Sequence, residues 1–217
     1  MPRLAHPSHA RQLAALAEEA AICERCPLYQ NATQTVFGDG DASAHLMLVG
    51  EQPGDQEDRQ GHPFVGPAGS VLDRALDEAR LDRDKVYITN AVKHFKNEPR
   101  GKRRLHKRPN QNEVRQCRWW LDREIAIIRP RLIVALGATA AHALTGRATT
   151  LHSVRGKVMP LFGDHDGLVT MHPSAILRMR DTDERDASFA ALVADFEVAA
   201  AFIARPPRSV VHRETAK

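Results

Sequence analysis

The 217-residue chain lacks the long apolar segments found in membrane proteins. It contains no uninterrupted run of about 18 apolar residues, so no transmembrane helix is predicted. Its first residues, MPRLAHPSHARQ, have no apolar core of the kind that secretory signals carry. We therefore expect a soluble protein with a cytoplasmic location and no membrane partner.

Cysteine is also scarce, with three residues in the whole chain. An odd number makes a full disulfide framework unsuitable as the stabilising device. Cys23 and Cys26 form a CxxC pair, and Cys117 lies far downstream. In a cytoplasmic protein this spacing favours metal or redox chemistry over a structural bridge. Three soft ligands leave a tetrahedral site one ligand short, so a fourth ligand is expected elsewhere.

Internal repeats and low-complexity linkers are absent as well, and the length suits one buried core. We predict a single domain over residues 1–205 and a flexible tail over residues 206–217. Hydrophobic residues make up 42% of the chain and charged residues 27%, as in ordinary globular proteins.

Short apolar runs alternate with amphipathic segments along the chain. Strands are predicted at 45–50, 85–90, 131–137 and 167–172. Helices are predicted at 8–23, 67–79, 112–129, 138–146 and 184–203. This alternation is typical of a parallel sheet covered on both faces. The predicted fold class is α/β, a three-layer α/β/α sandwich with a central four-stranded parallel sheet.

Polar residues follow the predicted strands at the point where each strand ends. Glu51 follows the first strand, Asn90 ends the second, and His172 ends the fourth. Ligands of parallel sheets bind beyond the carboxyl ends of the strands. Taken singly, these residues read as a surface acid, a turn former and a core histidine. Their shared placement predicts a site at this edge of the sheet.

The net charge is only +4, but the positive charge is concentrated in one segment. Eight Lys or Arg lie between Lys93 and Arg108, with Glu98 as the single acid. Such density suits a polyanion, most commonly nucleic acid, although a solvated loop is the alternative. We predict a basic loop insertion at about 96–110. On charge alone, His106 within GKRRLHKRP would be a passive phosphate contact.

Four motifs, in register with the CxxC pair, carry a resemblance to a known family. They are GEQPG (50–54), GHPFVGPAG (61–69), VYITN (86–90) and HPS (172–174). Together they resemble the iron–sulfur, family 4-like branch of the uracil-DNA glycosylase superfamily over residues 20–200. The chain is most similar to the UdgX branch, which attaches covalently to uracil-containing DNA. Its KRRLH (102–106) is close to that branch's KRRIH, and it has GEQPG where turnover relatives carry GEGPG.

The resemblance implies a [4Fe-4S] cluster held by Cys23, Cys26 and Cys117. The relatives' remaining cysteine follows VK after the second strand, where this chain has His94. His94 is thus the expected fourth ligand, since histidine ligation of such clusters has precedent. A loop histidine beside the site is the alternative. Zinc would suit three cysteines and a histidine equally well, and only the resemblance favours iron.

The resemblance also implies a pocket for a flipped uracil. Phe64 would stack on the base, Asn90 would read its hydrogen-bonding edge, and backbone from Gly50 to Gln52 would line the pocket. Phe64 could equally belong to the core.

Bond cleavage would fall to Glu51, His106 and His172. His172 would stabilise the charge developing on uracil, and Glu51 would lie beside the sugar. In the UdgX branch the loop imidazole, here His106, attacks C1′ of the sugar. The alternatives are a turnover glycosylase that uses water, and a non-catalytic, metal-stabilised nucleic-acid-binding module. Expected phosphate contacts are Lys102, Arg103, Arg104 and Ser174.

The expected partner is uracil-containing DNA, with single strands preferred because less base pairing must be broken to extrude the base. We expect the protein to act as a monomer.

Overall fold

The computed structural model describes residues 7–147, 154–163 and 165–206. One sheet contains β1 (Asp39–Gly40), β2 (Leu46–Gly50), β3 (Val86–Asn90), β6 (Leu132–Leu136), β7 (Met159–Phe162) and β8 (His165–Thr170). A separate antiparallel pair contains β4 (Asn97–Arg100) and β5 (Arg103–His106). The predicted tail beyond residue 206 lies outside the described residues, and the domain limits stay a prediction.

Helices cover both faces of the sheet. They are α1 (Pro7–Ala21), α2 (Asp55–Gln60), α3 (Pro67–Glu78), α4 (Gln111–Ile128), α5 (Ala138–Thr145), α6 (Pro173–Arg178) and α7 (Thr182–Ala204). The five predicted helices are confirmed, with ends that differ by at most two residues. The six-residue α2 and α6 were missed because fewer than two helical turns show no apolar period.

The sheet has the strand order β1-β3-β2-β6-β8-β7. The four central strands, β3, β2, β6 and β8, run parallel, which confirms the predicted core of the sheet. Strands β1 and β7 extend this parallel sheet with antiparallel edges that the sequence analysis does not predict. These edges span two and four residues, too short for a periodic signal.

Alternate residues of the central strands feed two separate cores. Met47 and Val49 pack with buried residues of α1, α4 and α5 on one face. Leu46 and Leu48 pack with buried residues of α3 and α7 on the other face. Because both faces are covered, the strands read as continuous apolar runs. The α/β/α prediction is confirmed.

Helix α7 is long and apolar enough, by length and composition, to cross a membrane, with a mean hydropathy of 1.8. In the fold its apolar residues Leu192, Phe196 and Ala199 are buried in the second core. Asp195 of the same helix accepts hydrogen bonds from Arg155 and Thr170. A third of the apolar window of α7 is buried, so packing on the sheet accounts for part of its apolar character.

The basic segment is a β-hairpin rather than an irregular loop. β4 and β5 pair from Asn97 opposite His106 to Arg100 opposite Arg103. Gly101 lies at the turn with a φ of +59°, a conformation that glycine adopts without strain. His106 is therefore the last residue of β5, at the end of the hairpin that joins the body of the protein.

Candidate active site at the strand ends

Two adjoining cavities open at the carboxyl ends of the central strands, with volumes of about 420 and 250 Å³. Both are lined by Gln52, His106, His172, Ser174 and Arg178. The larger cavity is also lined by Glu51, Arg108 and Thr139. The smaller cavity is also lined by Glu57, Phe64 and Asn90. The structure thus brings together the strand-end residues and the histidine of the basic hairpin.

The smaller cavity depends on the absence of a side chain at Gly50. A Cβ there would lie 2.3 Å from Oδ1 of Asn90 and 2.7 Å from Cζ of Phe64. Asn90 is 2% exposed, and its Oδ1 has no hydrogen-bond partner among the described residues. A buried acceptor without a partner is costly unless a ligand supplies the donor.

The ring of Phe64 forms one wall of the smaller cavity. It is 5% exposed and lies 5.7 Å from the ring of His172, with an angle of 29° between the planes. Its backbone has a φ of +56°, which is unusual for a bulky residue. Such strain persists only where surrounding structure imposes it, and it is common at ligand sites.

Glu57 fixes the loop that bounds the same cavity. Its carboxylate accepts hydrogen bonds from the backbone N–H of Gly54 at 3.0 Å and of Gly66 at 2.8 Å. The sequence prediction missed this residue. The only signal was an acid placed in the first turn of a helix too short to be recognised.

His172 caps α6 and is held as a neutral hydrogen-bond donor. Its Nδ1 accepts from the backbone N–H of Ser174 at 3.1 Å and lies 2.9 Å from the Ser174 hydroxyl. The ring proton therefore lies on Nε2, free for a ligand. Burial, with smaller effects from the charges of Arg178 and His106, lowers the pKa of His172 to about 4.

Glu51 lies in the larger cavity with its two oxygens in different surroundings. Oε2 accepts a hydrogen bond from the Thr139 hydroxyl at 2.5 Å and lies 3.6 Å from Nε of Arg108. Oε1 lies 3.9 Å from Nε2 of His106. One oxygen is thus bonded, and the other faces the imidazole.

Gln52 holds the hairpin and the ring of His106 at the same time. Its Oε1 accepts from the backbone N–H of Lys96 at 3.0 Å, and its amide nitrogen donates to the carbonyl of Lys107 at 2.9 Å. The same amide nitrogen lies 2.8 Å from Nε2 of His106. Because the amide nitrogen is a donor, Nε2 accepts and the ring proton lies on Nδ1.

The imidazole of His106 lies at the edge of the site, with 52% of its side chain exposed. Burial of the rest of the ring lowers its pKa, Glu51 opposes this effect, and Arg178 adds to it. A lowered pKa favours the neutral ring, which is the form that can act as a nucleophile or base.

Arg104 anchors the hairpin to α2. Its Nε lies 2.6 Å from Asp55, and its Nη1 lies 2.5 Å from Asp58, whose side chain is fully buried. The predicted phosphate contact does not match this placement, because the guanidinium is engaged by two carboxylates and the side chain is only 18% exposed. Lys102 and Arg103 are exposed at the hairpin turn.

The three cysteines are free thiols, all buried. The indole N–H of Trp120 donates to Sγ of Cys23 at 3.1 Å, and the backbone N–H of Lys93 donates to Sγ of Cys117 at 3.1 Å. The pKa of Cys117 is raised to about 12, chiefly by burial; the charge and the backbone N–H of Lys93 lower it, and the neighbouring thiols Cys26 and Cys23 raise it. Such N–H donors suit sulfur ligands of a metal centre.

Among the described residues, the acidic, histidine and cysteine side chains do not form a site for a single metal ion. Within residues 7–147, 154–163 and 165–206, no three His, Cys, Asp or Glu side chains are placed to hold one ion. His94 is buried. Burial lowers the pKa of His94, and the charge that opposes this effect is Asp58. The three thiols thus suit the role of cysteine ligands to a cluster. The structure adds no contact that marks His94 as a further ligand.

Comparison with known sequences decides the family. A sequence profile described as the Uracil DNA glycosylase superfamily matches residues 37–197. The chain belongs to this superfamily. This superfamily member is 37% identical to the type-4 uracil-DNA glycosylase of Thermotoga maritima over 189 residues, which are 87% of this chain and 93% of the relative.

Two further relatives have the same name. This superfamily member is 40% identical to the type-4 uracil-DNA glycosylase of Pyrobaculum aerophilum over 163 residues, which are 72% of this chain and 80% of the relative. It is 37% identical to the one from Sulfurisphaera tokodaii over 168 residues, which are 74% of this chain and 73% of the relative. The predicted resemblance to the superfamily is confirmed.

Proposed function

We propose that the protein is a uracil-DNA glycosylase, which takes uracil into the smaller cavity and cleaves its N-glycosidic bond. The observation that carries this proposal is the unpartnered Oδ1 of Asn90, aligned with the Phe64 wall at the strand ends. Oδ1 would accept from N3–H of uracil, the side-chain amide would donate to O4, and Phe64 would stack on the ring. Thymine would be excluded by the space that its methyl group needs.

Cleavage places negative charge on uracil and positive charge on the sugar. His172 presents a neutral Nε2–H donor, which suits stabilisation of a developing oxyanion. Glu51, in the adjoining larger cavity, would stabilise the cationic sugar. Both residues line the space between the base pocket and the hairpin.

We further propose that His106 captures the sugar. The lone pair of Nε2 would form a bond to C1′ as the C1′–N1 bond breaks. The electron pair of the broken C1′–N1 bond would leave with uracil. The resulting imidazolium would lose its Nδ1 proton to solvent, which leaves a neutral adduct. The lowered pKa of His106 and its position on both cavities support this step.

Ordinary turnover with water is the second candidate. It is favoured by the contact of the Gln52 amide with Nε2 of His106 at 2.8 Å, because that contact occupies the lone pair needed for attack. Capture through His106 therefore requires the arriving sugar to displace Gln52 from this atom.

For the thiols, we propose a [4Fe-4S] cluster on Cys23, Cys26 and Cys117, with His94 as the fourth ligand. His94 directly follows Lys93, whose backbone N–H donates to Sγ of Cys117. Such a cluster would link the end of α1 to α4 and would be structural. Iron analysis and visible absorption of the purified protein would distinguish it from zinc.

For DNA, we propose phosphate contacts from Lys102 and Arg103 at the exposed hairpin turn, with Ser174 beside His172. The protein would act as a monomer and prefer single strands, in which the base is already unpaired.

The test is a labelled single-stranded oligonucleotide with one uracil, heated in SDS after reaction. We expect a shifted band with uracil but not with thymine, and loss of the band in His106→Ser. His62→Ser is the matched control, since His62 is exposed and paired with Asp39. Alkali-cleavable product without a band would establish turnover instead of capture. If neither a shifted band nor alkali-cleavable product forms, the proposed glycosylase activity is overturned.

A further inference from the structure

Thr139 lies in the first turn of α5 and is 7% exposed. Its hydroxyl donates to Oε2 of Glu51 at 2.5 Å. The hydroxyl oxygen of Thr139 also accepts hydrogen bonds from Nε of Arg108 at 3.0 Å and from its Nη2 at 2.8 Å. A guanidinium has no acceptor, and a hydroxyl has one proton, so that proton must point to Glu51.

This bond decides which oxygen of Glu51 is free. With Oε2 held by Thr139, the plane of the carboxylate is set and Oε1 faces Nε2 of His106 at 3.9 Å. Arg108 follows His106 by two residues, so the hairpin itself contributes to the bond network around Thr139. The orientation of Glu51 is thereby linked to the docked position of the hairpin.

Helix capping does not explain the Thr139 hydroxyl. The N-cap of α5 is Gly137, which makes no side-chain capping bond, and the Thr139 hydroxyl donates to Glu51 instead. Valine has the same branched shape as threonine and lacks only the hydroxyl. Replacement by valine therefore removes the bond to Glu51 and preserves the packing.

We propose that Thr139 is a positioning residue that directs Glu51 toward His106. It thereby sets the proportion of sugar that is captured by the imidazole rather than by water. The inference rests on the proposed function. Arg108 strengthens this arrangement when the hairpin is docked.

The experiment is single-turnover reaction of the full chain with uracil-containing single-stranded DNA, with adduct and free abasic DNA measured together. For Thr139→Val we expect uracil loss to slow by about tenfold or more, as for loss of one aligned active-site contact. The ratio of adduct to abasic DNA should fall as well. Thr139→Ser should restore both values, because it keeps the hydroxyl.

Thr145→Val is the matched control, since Thr145 ends the same helix and its hydroxyl donates to the carbonyl of Ala141. It should leave rate and ratio unchanged. A purely structural role for Thr139 would lower the melting temperature and would not change the ratio of products.

The outcomes separate the two proposals. If the wild type forms adduct and Thr139→Val has the same rate and ratio, the role of Thr139 is overturned. If the wild type releases abasic DNA without adduct, capture by His106 is overturned, and so is the proposed influence of Thr139 on the ratio of adduct to abasic DNA. In that case slow excision by Thr139→Val, rescued by Thr139→Ser, would still support the positioning of Glu51, and unchanged excision would overturn that too.

Discussion

The pocket at the strand ends and the hairpin beside it are built in opposite ways. In the pocket, Phe64 and Asn90 are almost fully buried, and Gly50 lies on a central strand of the sheet. On the hairpin, His106 is half exposed and is positioned by side-chain contacts of Gln52 and Arg104. Under the proposed function, the sheet would fix which base fits, while the hairpin would determine what attacks the sugar. The two properties should respond to different substitutions.

The largest effect is expected from closing the pocket with Gly50→Ala. The new Cβ would lie 2.3 Å from Oδ1 of Asn90, so the amide or the backbone must shift. A displacement of this kind should reduce uracil excision by about 100-fold or more. Single-turnover assays should show adduct and abasic product falling together. Loss of the adduct alone would contradict the division between pocket and hairpin.

The next effect concerns stability and pH through His172. Its pKa of about 4 lies below the ordinary value of 6.5, so the unfolded chain binds the proton more tightly. The stabilisation is complete above pH 6.5 and is lost as the pH falls toward 4, by about 3 kcal/mol in total. Urea unfolding of the wild type should show this loss, and His172→Asn should show less. If the free energy of unfolding changes equally with pH in the two proteins, the neutral state assigned to His172 is contradicted.

A smaller, selective effect is expected from Arg104→Gln. Loss of the guanidinium leaves the buried Asp58 without its ion-pair partner and loosens the hairpin. We expect adduct formation to fall by about tenfold, with uracil excision less affected, since one tenfold step needs only about 1.4 kcal/mol. Arg59→Gln is the control, because Arg59 pairs with Asp55 in solvent. An equal fall in excision would show that the hairpin also builds the pocket.

The smallest effect is expected from Lys102→Gln and Arg103→Gln at the hairpin turn. Each should weaken DNA binding a few-fold, equally for uracil and thymine, and lower the slope of log affinity against log salt by about one. Lys85→Gln should change neither value, since Lys85 precedes β3 at the opposite end of the strand and pairs with Asp82. Unchanged salt dependence would remove the turn from the DNA contact surface.

The parts that the sequence predicts well are those determined by neighbours along the chain. Apolar runs mark the central strands, and the strand-end rule places Glu51, Asn90 and His172 at one edge. Thr139 was within reach of the same rule, because it follows Gly137 at the end of β6. It was overlooked because a threonine in the first turn of a helix has no special chemistry on its own.

The hairpin anchors could not be predicted from local pattern. Arg104 and Asp55 are 49 positions apart, and nothing near either residue indicates that they meet. The basic composition of the segment even favoured a different assignment, in which Arg104 would contact phosphate. Long-range ion pairs of this kind become visible only when the strands and helices are in place.

The compact grouping of the anchors has a consequence for protein engineering. Gln52, Asp55 and Asp58 all lie in the stretch that joins β2 to α2, or within α2 itself. A hairpin that is grafted onto another scaffold would lose these contacts unless this stretch is transferred with it. Chimeras should therefore exchange the two segments together.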